Sequence, residues 1–326
     1  ASQTEDTGLR AAQAGPGGIL FIRPDFFGVV GTVSVLTPGL SRRTSYTLTY
    51  TNEQPQGIWD PTLQISYNEQ EIDASGVYGI NKSFSGTFKN EFQIGNGTVT
   101  AGLDFFRETA AGQGRGPGPF ASSGEEKLRN VGIFAQVRQD IGERVSLSYG
   151  ARYDTQKFTG ADGSTFDGDG FSANGSLDFI LNDRLTLNAG LASGWGGYEL
   201  GEAALVNFGT PWTYAGFTTS RAKSGRVGLR YDDGTWKASL ALFRTEVSDI
   251  AAVLPTGGVR GATADLLSKG VDASVQYTAG KGFVKLSGTF ADVEINGAAA
   301  GSTAYYLGRP VGDMIALETG WEISPS

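Results

Sequence analysis

Six short polar turns alternate with mostly longer connections along this chain, and that alternation restricts its fold more than any other feature. The turns lie near 53–60, 91–97, 140–143, 181–184, 232–235 and 278–282. Between them fall connections near 109–127, 156–170, 196–220, 249–264 and 293–306, with a shorter one at 71–78. A soluble sandwich has no reason to sort its loops by length and parity. A transmembrane β-barrel does, because one rim carries tight turns and the other extended loops.

The segments between turns read as strands. Over 143–154 one face carries Val145, Leu147, Tyr149, Ala151 and Tyr153, and the other Ser146, Ser148, Gly150, Arg152 and Asp154. The same alternation runs through 171–181 and 184–195, and through similar segments from 42–52 to 307–321. About thirteen strands are predicted, with one more near 27–37 in an otherwise irregular segment 1–40; the barrel strands occupy 41–326. Most run ten to thirteen residues, close to the ~9–11 that a tilted strand needs to cross a bilayer. No run of ~18 apolar residues is present, so no transmembrane helix is expected.

Periodicity does not say which face points inward, but size does. A closed sheet of thirteen or more strands encloses a lumen too wide for side chains to fill. A wide apolar lumen would be a void, whereas a polar lumen holds water or a plug. The apolar face therefore points outward into lipid, and Tyr50, Trp59, Tyr67, Tyr231, Trp236, Tyr277 and Trp321 near strand ends suit interfacial girdles.

Composition removes most other function classes. A net charge of −8 disfavours nucleic acid as a partner. With 0 Cys there is no thiolate chemistry, and with 0 His no Ser-His-Asp triad, His-ligated zinc or His-ligated haem within this segment. Carboxylates remain, but no two of them stand out as a catalytic pair. Neither an enzyme nor a cofactor site is expected. AspGlyAspGly at 167–170 reads as a solvated acidic loop, since it lacks the ligand spacing of a calcium site. Glu125, Glu126 and Lys127 read as an ordinary charge cluster without a function.

Several segments resemble the TonB-dependent outer-membrane receptors. AsnValGlyIlePheAlaGlnValArgGlnAspIleGlyGluArgValSerLeuSerTyrGlyAlaArgTyrAsp at 130–154 resembles a hairpin of that family ending in Gly-x-Arg-Tyr-Asp. The hairpin at 171–195 is similar to the one that follows it, and SerLysGlyValAspAlaSerValGlnTyr at 268–277 looks like the family's Gly-Val-Glu strand. LeuGlyArgProValGly at 307–312 resembles the opening of a late strand. The family's Phe-Arg-Ala-Pro type segment is degenerate here, as GlyTrpGlyGlyTyrGluLeuGlyGlu. The resemblance covers roughly 98–321 and implies an internal portion of a 22-stranded barrel, without the family's plug or TonB-contacting box. It also implies an outer-membrane location, lipid, TonB and a plug as partners, and uptake of a scarce small molecule such as an iron-siderophore complex. Two alternatives stay open: a passive channel for hydrophobic solutes built as a complete smaller barrel, and a soluble or surface β-rich binding protein.

Two sets of site residues are expected. In the 196–220 loop, Tyr198, Trp212, Tyr214 and Phe217 offer rings that can stack on a flat ligand or pack the loop onto its neighbours. On the polar face, Arg138, Arg152, Arg226 and Arg230 would line the lumen, interleaved with Asp104, Asp140, Asp154 and Asp178. No metal site is expected.

Overall fold

The computed structural model describes residues 2–7, 19–20, 31–32, 39–54, 58–74, 77–114, 124–200, 213–254, 259–300 and 313–322. Among them the secondary structure is strand and turn. Twelve long strands follow one another: β4 (Gly39–Thr51), β5 (Pro61–Ala74), β6 (Val77–Ile94), β7 (Gly97–Gly114), β8 (Gly124–Ile141), β9 (Val145–Thr159), β10 (Thr165–Asn182), β11 (Leu185–Gly197), β12 (Ser220–Asp232), β13 (Trp236–Leu254), β14 (Val259–Ala279) and β15 (Gly282–Ile295). Each pairs antiparallel with the next, giving an up-and-down sheet of 15 strands. That sheet is completed by β1 (Ser2–Thr7) on β4, the two-residue β16 (Ala298–Ala299) on β15, and β17 (Met314–Trp321), also on β15. A separate two-stranded pair joins β2 (Ile19–Leu20) to β3 (Gly31–Thr32). The expected strand at 27–37 mostly lies outside the described residues. The large sheet does not close on itself among the described residues.

The polarity is inverted relative to a soluble protein. Large apolar side chains stand open on one face: Leu48, Ile133, Leu191, Leu242 and Leu317 are 69, 60, 74, 55 and 70% exposed. No described residue covers that surface, and lipid is the solvent in which such a face is stable. Near the short turns it ends in aromatic residues, with the Trp236 and Tyr277 rings 4.7 Å apart and the Trp59 and Phe88 rings 6.4 Å apart. The opposite face carries Ser, Asn, Asp and Arg.

Tight turns close one rim of the sheet, at 95–96, 142–144, 183–184 and 280–281 among others. Gly142 and Gly234 take positive φ, 63° and 87°, which the tight turns require and other residues resist. Asp233 accepts the Trp236 N–H at 2.7 Å and the Thr235 N–H at 3.0 Å, with the Tyr231 hydroxyl donating at 2.9 Å. These bonds, that from Trp236 foremost, hold its carboxyl below the usual range.

At the other rim the strands outrun the sequence reading. The connection expected over 156–170 is a hairpin: β9 and β10 stay paired up to Thr159–Thr165 and turn over only 160–164. An 18-residue strand such as β10 spans ~59 Å, about 45 Å along the membrane normal at a 40° tilt, well beyond a ~25 Å apolar band. Much of what reads as loop is therefore sheet standing above the membrane, where water on both sides erases the apolar signal. AspGlyAspGly is part of β10, not a loop. Its aspartates face out, while Gly168 and Gly170 face in and leave room for Tyr198 and Trp195; a Cβ at Gly170 would stand 2.1 Å from the indole.

Candidate functional site

The inner wall is built by strand parity. On β9 the inward residues run Ser146, Ser148, Gly150, Arg152, Asp154, Gln156, Phe158, so one strand passes from a polar wall into an apolar cluster at its outer end. Arg152 is the hub of the polar part. It donates to both oxygens of Asp104 at 2.5 and 2.7 Å, and through Nε to Asp154 at 2.6 Å. Asn130 donates to Asp154 at 2.9 Å, and its own buried Oδ1 has no donor among the described residues. Gly132 makes this geometry possible, since a Cβ there would stand 2.1 Å from an Arg152 nitrogen. Towards the short turns, Arg226 reaches Asp272 at 2.7 Å and Arg230 reaches Asp178 at 3.1 Å. Arg138 is exposed and makes no ion pair among the described residues. It borders a recess of about 540 Å³ shared with Asp140, Ser148, Ser176, Asp178 and Arg226. Of the four predicted wall arginines, three are thus held by carboxylates on the same or other strands.

Above the polar wall, the four rings expected on the 196–220 loop have a different setting. Trp212 lies outside the described residues. Tyr198, Tyr214 and Phe217 are buried together, 9, 3 and 7% exposed, around the fully enclosed Phe158. The Phe158 ring lies 4.7 Å from Phe217, 5.6 Å from Tyr214 and 6.0 Å from Tyr198, and Phe166 of β10 completes the group. Their packing accounts for them as a small dry core outside the membrane band, not as an open stacking platform.

A buried ion pair fastens that core. Arg260 at the start of β14 donates to both oxygens of Glu126 on β8, at 2.9 and 3.4 Å, and to the Glu199 carbonyl at 2.7 Å. Its guanidinium lies 5.3 Å from the Phe217 ring. The Tyr214 hydroxyl donates to Glu126 at 2.6 Å and accepts the Ala161 N–H at 2.8 Å. Burial, then the Glu126 charge, pushes the Tyr214 phenol well above its ordinary value. β8 and β14 stand six steps apart in strand order, ~29 Å along the sheet. The outer ends of β8 and β14 are therefore drawn together on the inner side of the sheet. The β13–β14 pairing carries two register shifts on this side, at Val247/Ile250 and Ala252/Leu254, irregularities of the kind that turn a strand end from the plane of its sheet.

Glu126 corrects the sequence reading of 125–127. Glu125 and Lys127 do form an exposed pair at 2.9 Å, but Glu126 points to the other face and is fully buried. Parity along β8 contained the signal: Glu126 shares a face with Leu128 and Asn130, not with its charged neighbours. Arg260, flanked by a glycine that abuts Ala215, carried no comparable signal.

An outward apolar band, a charge-paired polar inner wall and one rim of long hairpins define a transmembrane β-barrel wall. A family model described as TonB dependent receptor-like, beta-barrel, matches residues 6–315, and the chain belongs to that family. The heme transporter BhuA of Brucella ovis is 28% identical over 218 residues, 64% of this chain and 33% of that protein. The chain thus spans about a third of the length of the curated relatives it matches. The FrpB iron transporter of Neisseria meningitidis, in its apoprotein form, superposes with a TM-score of 0.72 at 15% identity, covering 90% of this chain and 48% of that one. The ferric-catecholate import receptor Fiu of E. coli K12 gives 0.65 at 13% identity, covering 99% and 58%. At such identities the two structures establish the fold.

Proposed function

We propose that this chain is the wall of an outer-membrane receptor that imports a scarce iron chelate, drawn inward when TonB acts on a plug seated in the lumen. One observation carries the reading. The inner face is polar and largely charge-paired from the short-turn rim up to a buried aromatic cap, built by the outer ends of β8 and β14, the β9–β10 hairpin, Tyr198 and the 213–217 segment. Such a wall offers polar contacts to a plug and to a passing solute, and the cap limits entry from outside. The barrel itself needs no bond chemistry; its task is to satisfy every backbone group within lipid.

The ligand class rests on the relatives, whose names include heme, iron and ferric-catecholate transport. With 0 His in the chain, axial ligation of haem from this segment would fall to tyrosine, and Tyr198 and Tyr214 are engaged in the cap. That weighs toward a chelate that carries its own iron ligands, such as a siderophore. The test uses the full-length receptor in an iron-limited host. Radio-iron uptake from a ferric siderophore is expected to vanish on deletion of the receptor and equally on deletion of TonB. Uptake that persists without TonB would favour a passive channel. Growth on haem alone, with no siderophore transported, would move the ligand assignment to haem.

A further inference from the structure

Three cations stand side by side on the outward face, at the border between the apolar band and the external hairpins. Arg107 of β7 is the register partner of Arg129 on β8, and Arg129 is the partner of Lys157 on β9. All three are exposed. Like charges directly opposite one another on neighbouring strands repel, yet this row has little to relieve it. Arg107 and Arg129 make no hydrogen bond or ion pair among the described residues. Lys157 comes only to 4.0 Å from Asp167. The other nearby carboxylates are taken: Glu125 by Lys127 at 2.9 Å, and Asp169 by the Tyr153 hydroxyl at 2.9 Å.

The position of the row matters as much as its charge. Immediately below it, on the same face, come Phe105, Val131 and Thr155, then Leu103, Ile133 and Tyr153. Val131 and Ile133 are 54 and 60% exposed. Ten residues separate Leu147, near the short-turn rim, from Lys157; that is ~33 Å of strand, or about 25 Å along the normal at a 40° tilt. The row therefore lies at the height where acyl chains give way to headgroups. Two guanidinium forks with no carboxylate partner match the oxygens of a phosphate, which accepts paired N–H bonds.

We propose that Arg107, Arg129 and Lys157 bind the phosphate of an outer-leaflet glycolipid, whose acyl chains lie on Phe105, Val131 and Ile133. This rests on the reading above that the long-hairpin rim faces the exterior of an outer membrane. The bound anion would remove the repulsion and anchor the β7–β9 wall beneath the cap, since β8 also carries Glu126.

The test uses the full-length receptor in detergent, delipidated, with bisphosphorylated lipid A as the probe in mixed micelles and native mass spectrometry as the readout. Wild type is expected to retain lipid A, and the Arg107→Gln/Arg129→Gln/Lys157→Gln variant to bind it about 100-fold more weakly, from a factor of about five per basic residue at an anionic surface. Enzymatically dephosphorylated lipid A should bind wild type no better than the variant. Equal binding by the variant, or equal binding of the dephosphorylated lipid, overturns the site. Displacement of lipid A by an equal concentration of inorganic phosphate also overturns it, because the ligand would then be a free anion. If the triple variant does not fold, Arg129→Gln alone should still lower retention about fivefold, and unchanged retention counts against the site. A full-length wild type that lacks the heat-modifiable mobility of a membrane barrel would sink the outer-membrane reading itself, separately from these outcomes.

Discussion

Glu126 shows how much one side chain can hold at the external end of this wall. Its carboxylate serves Arg260 and Tyr214 at once, and both the acid and the guanidinium are removed from water, with side chains 0 and 2% exposed. Desolvation makes such a pair a weak source of net stability, but removing one member strands the other. Glu126→Ala should therefore destabilise the cap by about 3–5 kcal/mol, read as faster hydrogen exchange and proteolysis at 198–200 and 213–217. Glu126→Met combined with Arg260→Met should recover most of that loss; if the double variant is as loose as the single, the pair is not what closes the cap. The neighbouring phenol adds a pH dependence of definite sign. A free tyrosine titrates near pH 10, and Tyr214 is pushed higher by burial and by Glu126. A raised folded-state value favours the protonated native form. Its contribution is complete below about pH 10 and is lost as the pH rises through the folded value. Protection of 213–217 should thus fall above about pH 10 in wild type and follow a flatter profile in Tyr214→Phe.

At the scale of elements, what could be read in the sequence tracked the surroundings of each strand. Between the aromatic girdle and the charged border one face meets lipid and the other a polar lumen, so apolar and polar residues alternate and the strands are legible, as in Val145–Asp154. Above the membrane both faces of a hairpin meet water, the alternation fades, and 156–170 reads as a loop although all but its tip is paired. The cap was hidden for a related reason. Its rings were visible as a group, but what they pack against depends on the outer ends of β8 and β14 meeting, and nothing local in the sequence encodes a contact 134 residues away. Glycines mark where these elements touch. A Cβ at Gly261 would stand 1.7 Å from the Ala215 carbonyl oxygen, a rigid backbone atom. Gly261→Ala should push β14 off the 213–217 segment at a cost of about 1–3 kcal/mol, with increased exchange in both segments. Gly142→Ala should instead strain only its turn, through its φ of 63°, and leave exchange in the cap unchanged.

For the whole molecule, the sidedness of the sheet is the proposition on which the transport reading stands, and it can be tested without knowing the ligand. Leu240 lies midway along β13 between Trp236 in the girdle and Arg244, an exposed arginine of the same face paired with Glu246, and is itself 52% exposed. Ser176 on β10 faces the lumen and is exposed to it. In a soluble sheet both would be accessible surface positions, and an arginine at either would change stability little. In a membrane barrel the two environments differ sharply. An arginine on the lipid face at the bilayer midplane costs about 2–4 kcal/mol, while the lumen solvates it. Leu240→Arg should therefore lower the denaturant midpoint of the full-length receptor refolded into lipid vesicles, with Ser176→Arg close to wild type. The cost should shrink as the substitution moves from Leu240 through Leu242 toward Arg244, because the side chain then reaches the headgroups. Equal effects at Leu240 and Ser176 would mean that no lipid lies against the apolar face, and the lumen, the cap and the lipid-phosphate site would lose their orientation together.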